Sequence, residues 1–282
     1  VINVFGPDKE GVTYPTEEEI LNVLKSVKAE ELTAYVDKVS DEPLMKEAPK
    51  AGKIVKEENG PFGSTVWTLS NGVRVVIKPT DFKADQILMR AFSPGGTSLF
   101  GTKDALQLKM LNNVAGVGGL GNFSNVDLEK VLAGKKASIN ASVNGLTEGL
   151  SGSCSPKDME TMLQLTYLSF TAPRMDLDAF ESFKNRTKAE LANQEANPMT
   201  ALSDSLQYAL YGNHPLAMRV KADMVDQIDY NLIMEMYKNR FMEAGDFTFL
   251  FVGNINPDEA KPMIETYLGG LPTIQRKENF VD

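Results

Sequence analysis

Apolar residues change their spacing along this chain, and each change predicts a different element. Ile20, Leu24 and Val27 recur at i, i+4 and i+7, which is one face of an amphipathic helix. Thr16 and Glu19 form the T-x-x-E capping box that would open it. Leu32, Tyr35, Val36 and Val39 extend the apolar stripe. Ahead of this helix, VINVFGPDKEG reads as a short β-branched strand running into a Gly/Pro turn. It is either the last strand of a preceding domain or an edge strand of this one. Over residues 40–62 periodicity is lost, and dense charge with three prolines predicts a linker, so the main domain boundary is expected near Pro61.

From Ser64 the pattern takes on the period of strands. STVWTL and VRVVIK flank Asn71-Gly72, a pair suited to the positive φ values of a type I′ hairpin turn. QILMRAFS (86–93) predicts a third strand, ended by Pro94-Gly95-Gly96. A helix is expected from Thr102 to Val114, then the Gly-rich segment GVGGLGNF. A short helix capped by Ser124 follows, with Val126, Leu128, Val131 and Leu132 as its apolar positions. Residues 137–142 and 149–154 read as two strands around Asn144-Gly145.

The second half is mainly helical. Ser155-Pro156 begins a helix whose apolar stripe is Met159, Met162, Leu163, Thr166, Tyr167 and Phe170. Asp176 caps a long polar helix with Phe180, Phe183 and Leu191. Asn197-Pro198 begins another, with Leu202, Leu206, Ala209 and Leu210 on one face and Gly212 at its end. Asp229 starts a helix running to Ala244. DFTFLFVG (246–253) reads as a buried strand, and Asn256-Pro257 with Glu259 opens a last helix over Ala260, Met263, Ile264 and Tyr267. Strands, helices, a strand and a helix follow in that order, without βα alternation. The economical fold is α+β: a two-layer sandwich, a mostly antiparallel sheet with helices on one face.

Composition narrows the function. The chain has 282 residues, 42% of them apolar, enough for a sizeable core. A balance of 29 basic and 38 acidic residues gives a net charge of −9, which argues against a nucleic-acid partner. No apolar run nears the ~18 residues that would suggest a membrane span. With one Cys and one His, the chain offers neither an internal disulfide nor the two or three imidazoles a catalytic zinc usually draws on. It starts at Val1 without a signal-like segment, and the simple reading is a processed or excised piece of a longer protein.

Candidate chemistry is sparse. Gly116 to Gly121 match G-x-G-x-x-G, but the residues before them read as a helix, where a dinucleotide site needs a strand, and no acidic partner follows at the required distance. A helix-ending turn is the better reading. His214, in YGNHPLAMR, has no second His and is expected to be structural. Cys154 is expected to be a buried thiol, with weak activation by the following helix N-terminus as the alternative. Glu181, Glu190 and Glu195 do not share a helix face, Glu17 to Glu19 complement a helix dipole, and the thirteen Met read mainly as core filling. From the residues alone, no catalytic or metal-ligating residue is assigned, and substrate-binding residues are unknown.

The ordered set LSNGVRVVIKPT, the turn at Gly95-Gly96, a helix, a second Gly-rich loop, YGNHPLA and RFMEAGDFTFLFVGNINPDEAKPMIETYLGGLP resembles the pitrilysin/insulinase-type family of zinc metallopeptidases over residues 64–275. The resemblance implies a mitochondrial-processing-peptidase-like metallohydrolase fold. It also implies a parent protein of several such domains whose two halves close around a peptide. In that family the zinc motif His-x-x-Glu-His sits in the first domain, on the helix after the Gly-rich turn. Here the matching helix is TKDALQLKMLNNV, without His or Glu. Glu190 lies near the family's third ligand but has no His pair to complete.

The resemblance therefore implies a non-catalytic domain of a bacterial zinc metalloendopeptidase, the first domain of its C-terminal half. No cofactor is expected in this segment, and zinc is expected in the parent. The expected partners are the zinc-bearing N-terminal half of the same protein and a peptide substrate. The expected location is the periplasm or cell envelope. Residues 1–12 would end a preceding domain, 13–62 form a helical and charged linker, 63–275 the peptidase-like domain, and 276–282 begin the next linker. The alternative is a non-catalytic scaffold subunit of the same fold that pairs with a separate catalytic chain.

Overall fold

In a computed structural model, residues 2–5, 13–29 and 42–281 are described. The chain divides into two units, residues 1–38 and 39–282. In the first, the capping box forms as expected: Thr16 N–H donates to Glu19 Oε2 at 2.8 Å, and Glu19 N–H donates to Thr16 Oγ1 at 3.3 Å. It opens helix α1, Glu17–Ala29. Residues 2–5 of the expected first strand have no regular structure, and the rest of that strand, like the stripe from Leu32 to Val39, falls outside the described residues.

The second unit is built on a seven-stranded sheet. Its strands are β1 (Ile54–Asn59), β2 (Thr65–Leu69), β3 (Arg74–Pro79), β4 (Ile87–Pro94), β5 (Ala137–Val143), β6 (Thr147–Cys154) and β7 (Thr248–Gly253). Their spatial order is β1-β2-β3-β7-β4-β6-β5. Every neighbouring pair is antiparallel except β3 and β7, so the late strand β7 inserts in parallel beside the early hairpin. The fold is the expected α+β sandwich.

Two local expectations change. Residues 54–59, read as linker, form β1 and pair with β2, so the sheet starts ahead of Pro61. Charged Lys56, Glu57 and Glu58 hid this strand from a hydrophobic pattern, and exposed charges suit an edge. The hairpin turn also differs. Gly72 has φ +93° and Asn71 is not in the left-handed region; Gly72 N–H bonds Leu69 C=O, and Leu69 N–H bonds Val73 C=O. This is a three-residue loop with a type I turn closed by a left-handed glycine, in place of type I′. Asn71 Nδ2 instead donates to the carbonyls of Leu268 and Leu271, tying the hairpin to the chain after the last helix.

The helices that build the core are α2 (Ala105–Val114), α4 (Met159–Thr171), α5 (Leu177–Glu195), α7 (Tyr230–Phe241) and α8 (Pro257–Tyr267); α3 (Asn125–Val131) and α6 (Pro198–Tyr211) lie between them. Five of the caps are those the sequence offered: Ser124, Asp176, Asn197, Asp229 and Asn256 each accept a backbone N–H of the first turn. Ser155 does not cap α4, since its Oγ donates to Asp158 Oδ2 at 2.6 Å and the α-helix begins only at Met159, after a turn at Pro156–Asp158. Strand register sorts the side chains. One row runs Trp67, Val75, Phe249, Ala91, Leu150 and the next Ile77, Phe251, Met89, all buried under helices. Phe170 of α4 packs edge-on against Phe241 and Phe247 at 5.1 and 4.9 Å between ring centroids, locking helices to sheet.

Candidate functional site

The opposite face of the sheet carries the alternate residues of the same strands. Register aligns Val66, Val76, Leu250, Arg90, Ser151 and Asn140 in one row. The flanking rows hold Lys78, Val252, Leu88, Ser153 and Ser138, and Arg74, Thr248, Phe92, Gly149 and Ser142. Leu88 is 49% exposed and Phe92 52%, and they flank the exposed Arg90 on β4. The middle of this face is therefore open and mixes apolar side chains with a cation, with Arg74 and Lys78 on the β3 side and small polar groups on the β6–β5 side. An open face of this composition can lie against an extended polypeptide, offering apolar contact at Leu88 and Phe92, a cation at Arg90 between them, and hydrogen-bonding groups at one side.

β5 ends the sheet and is bonded on one side only, to β6. Asn112 of α2 meets its far end: Nδ2 donates to Val143 C=O at 2.9 Å, and Oδ1 accepts Val143 N–H at 2.8 Å. Because strand backbone groups alternate, Ile139 and Ala141 turn their N–H and C=O the same outward way, and among the described residues no strand pairs with that edge. Beside it lies a cleft of about 590 Å³, bounded by Asn112, Gly116, Leu128, Ile139, Ala141 and Pro173. It could admit an extended segment that adds to the edge.

The turn leading to α2 is held by buried charge. Gly96 has φ +63°, and a Cβ there would lie 2.3 Å from Asn144 C=O, so glycine is required. Gly96 N–H donates to Glu148 Oε2 at 2.6 Å. Burial pushes the Glu148 carboxyl above its usual range, against the pull of the Gly96 N–H and of Arg240. Arg240, itself buried, pairs with Glu278 at 2.7 Å.

The sequence candidates fall as follows. α2 begins after a turn at Thr102–Asp104 and carries no His or Glu; its Asn112 serves β5. Glu190 is exposed on α5 and does not line the cleft, and His214 is exposed in the loop after α6. Glu181 pairs with Lys184 at 2.6 Å, and Glu195 accepts the Ala222 N–H at 2.9 Å. Cys154 is buried, and desolvation with Asp158 nearby pushes its thiol to about 12, which removes the activated-thiol reading. Gly116 to Gly121 follow helix α2, not a strand; a Cβ on Gly118 would lie 2.2 Å from Arg174 C=O, so close packing explains that glycine. Among the described residues, no group of three or more His, Cys, Asp or Glu is placed to hold a metal. None of the described residues form a set that fits a zinc ion. The sequence pattern gave no sign of the cleft or the open face, because both depend on which strands end up in the middle and at the edge.

No protein-family model matches the chain. A zinc protease PQQL-like protein of Arabidopsis thaliana is 28% identical over 267 residues, covering 94% of this chain and 25% of that protein. The crystal structure of the periplasmic protease PqqL from Escherichia coli matches with a TM-score of 0.72 at 21% identity, over 95% of this chain and 29% of that one. A peptidase M16 inactive domain from Pseudomonas fluorescens matches with a TM-score of 0.58 at 18% identity, over 77% of this chain and 54% of that one. The fold is thus that of M16 peptidase domains. Along nearly its whole length the chain is similar in sequence to zinc proteases, and it carries no His-x-x-Glu-His motif. It spans about a quarter of the length of the curated relatives it matches.

Proposed function

We propose that this chain is a non-catalytic domain of a longer zinc metalloendopeptidase, the first domain of its C-terminal half. Its role is to form one wall of a closed chamber that confines peptides for cleavage by a zinc-bearing half of the same polypeptide. The observation that supports this most is the open sheet face, with Leu88 and Phe92 exposed on either side of Arg90 and the unpaired edge of β5 beside a cleft. A peptide added along the β5 edge would exchange backbone hydrogen bonds with Ile139 and Ala141, and a separate stretch of peptide lying across the open face would pack apolar side chains on Leu88 and Phe92. The division of labour follows from the residues: the chain holds and orients a peptide, and the metal-activated water comes from elsewhere in the polypeptide. The periplasm or cell envelope is the proposed location, from the likeness to a periplasmic protease.

The test is to assay residues 1–282 with quenched fluorogenic peptides and to measure bound zinc by elemental analysis. The expected result is no cleavage and no stoichiometric zinc, with both present in the full-length parent. Chelator-sensitive cleavage by the short chain would overturn the reading. Activity recovered only on mixing with a separately encoded zinc-carrying chain would replace it with the scaffold-subunit alternative.

A further inference from the structure

Helix α6 is built the wrong way round for its own domain. Met199, Leu202, Leu206 and Leu210 stand at i, i+3, i+7 and i+11, a single stripe, and each is 59% to 65% exposed. Not one residue of this 14-residue helix is buried. The side that meets the rest of its unit is polar: Thr200, Asp204 and Gln207 are the half-buried positions. Asp204 accepts two hydrogen bonds from Arg219, at 3.0 and 2.9 Å. Asp204 is also the one charged side chain in PMTALSDSLQYALY. A helix facing water normally carries charges outward and apolar residues inward. This one does the reverse, and adds Tyr208 and Tyr211, both more than 60% exposed.

We infer that the α6 stripe packs, in the intact protein, against an aliphatic surface on another domain of the same polypeptide, outside residues 1–282. The inference rests on the reading above that the chain is part of a longer protein. The relatives are about four times as long, so most of such a polypeptide remains to supply the partner. The chemistry of the stripe fits a permanent contact over a passing one. Interfaces that never open are the more hydrophobic class, and interface cores are poor in charge and rich in Met and aromatic side chains. An apolar stripe left permanently in water would be an aggregation liability.

Hydrogen–deuterium exchange without added peptide tests this, on the full-length parent and on residues 1–282. The amides of 199–211 should exchange at least tenfold more slowly in the parent. In the parent, Leu206→Glu should restore fast exchange there while leaving the β7 amides (248–253) as slow as before, which shows that the fold survives. Equal exchange in both proteins would overturn the proposal. So would protection that appears only when a peptide is added, or protection in residues 1–282 that grows with concentration, which would identify a peptide or a second copy as the occupant. Zinc-dependent cleavage is measured separately, so loss of that reading and loss of this one are distinguishable.

Discussion

Helices α4 and α6 have similar length and similar apolar content, and the fold uses them in opposite ways. Nine of the 13 residues of α4 are buried, and two of its buried polar side chains turn back on the helix: Thr166 Oγ1 donates to Met162 C=O at 2.8 Å and Ser169 Oγ to Leu165 C=O at 3.0 Å. α6 buries nothing. A period of 3.6 says that a face is meant to be covered; it does not say by what. In α4 the cover is the sheet of the same domain, and in α6 it has to come from outside it.

Substitutions along this contrast should grade accordingly. Leu163→Ala, at a fully buried position of α4, should cost about 2–5 kcal/mol by chemical denaturation of residues 1–282, through lost burial and a residual cavity. Glu243 comes next. It is buried near the end of α7 and accepts hydrogen bonds from Gly245 N–H, Thr273 Oγ1, Ile274 N–H and Arg276 N–H at 2.7 to 2.9 Å. Glu243→Gln should cost roughly 1–3 kcal/mol and loosen residues 273–278, visible as faster proteolysis of that segment.

The same residue gives a pH signature of smaller size. Burial raises the Glu243 carboxyl, but the bonds from Thr273, Arg276, Gly245 and Ile274 outweigh it and hold it below 4.5. A folded-state pKa below the unfolded value contributes stability above pH 4.5 that is lost as pH falls through the lowered value. The Tm gap between the natural chain and Glu243→Gln should therefore narrow on acidification from pH 6 to pH 3; a constant gap would show that the carboxyl charge is not what holds the tail. Smallest of all, Leu206→Ala on α6 should change the stability of residues 1–282 by no more than about 0.5 kcal/mol. A loss as large as at Leu163 would erase the contrast.

Much of the fold was legible in the sequence for local reasons. Caps at Ser124, Asp176, Asn197, Asp229 and Asn256 act within one helical turn, so their residue types predict their bonds. Strand alternation in β2 to β4 was equally local. β1 was missed because an edge strand needs no apolar pattern, and its charged residues mimic a linker. The turn at Asn71 was misread because its side chain is drawn to carbonyls almost 200 residues away. For the candidate site, the shortage of imidazole was plain from one His. The open face, the cleft and the bare α6 were not, since they arise from β7 entering between β3 and β4 and from partners beyond the domain.

The central claim is that the uncovered sheet face looks onto a confined peptide. It is tested most directly by placing a photoreactive side chain in the full-length parent, as Phe92→p-benzoylphenylalanine on that face or Lys238→p-benzoylphenylalanine on the exposed side of α7, and irradiating with a peptide substrate bound. The account predicts a peptide adduct from position 92 and none from 238. Cleavage of the peptide with no adduct at 92, or an adduct at 238 instead, would contradict it.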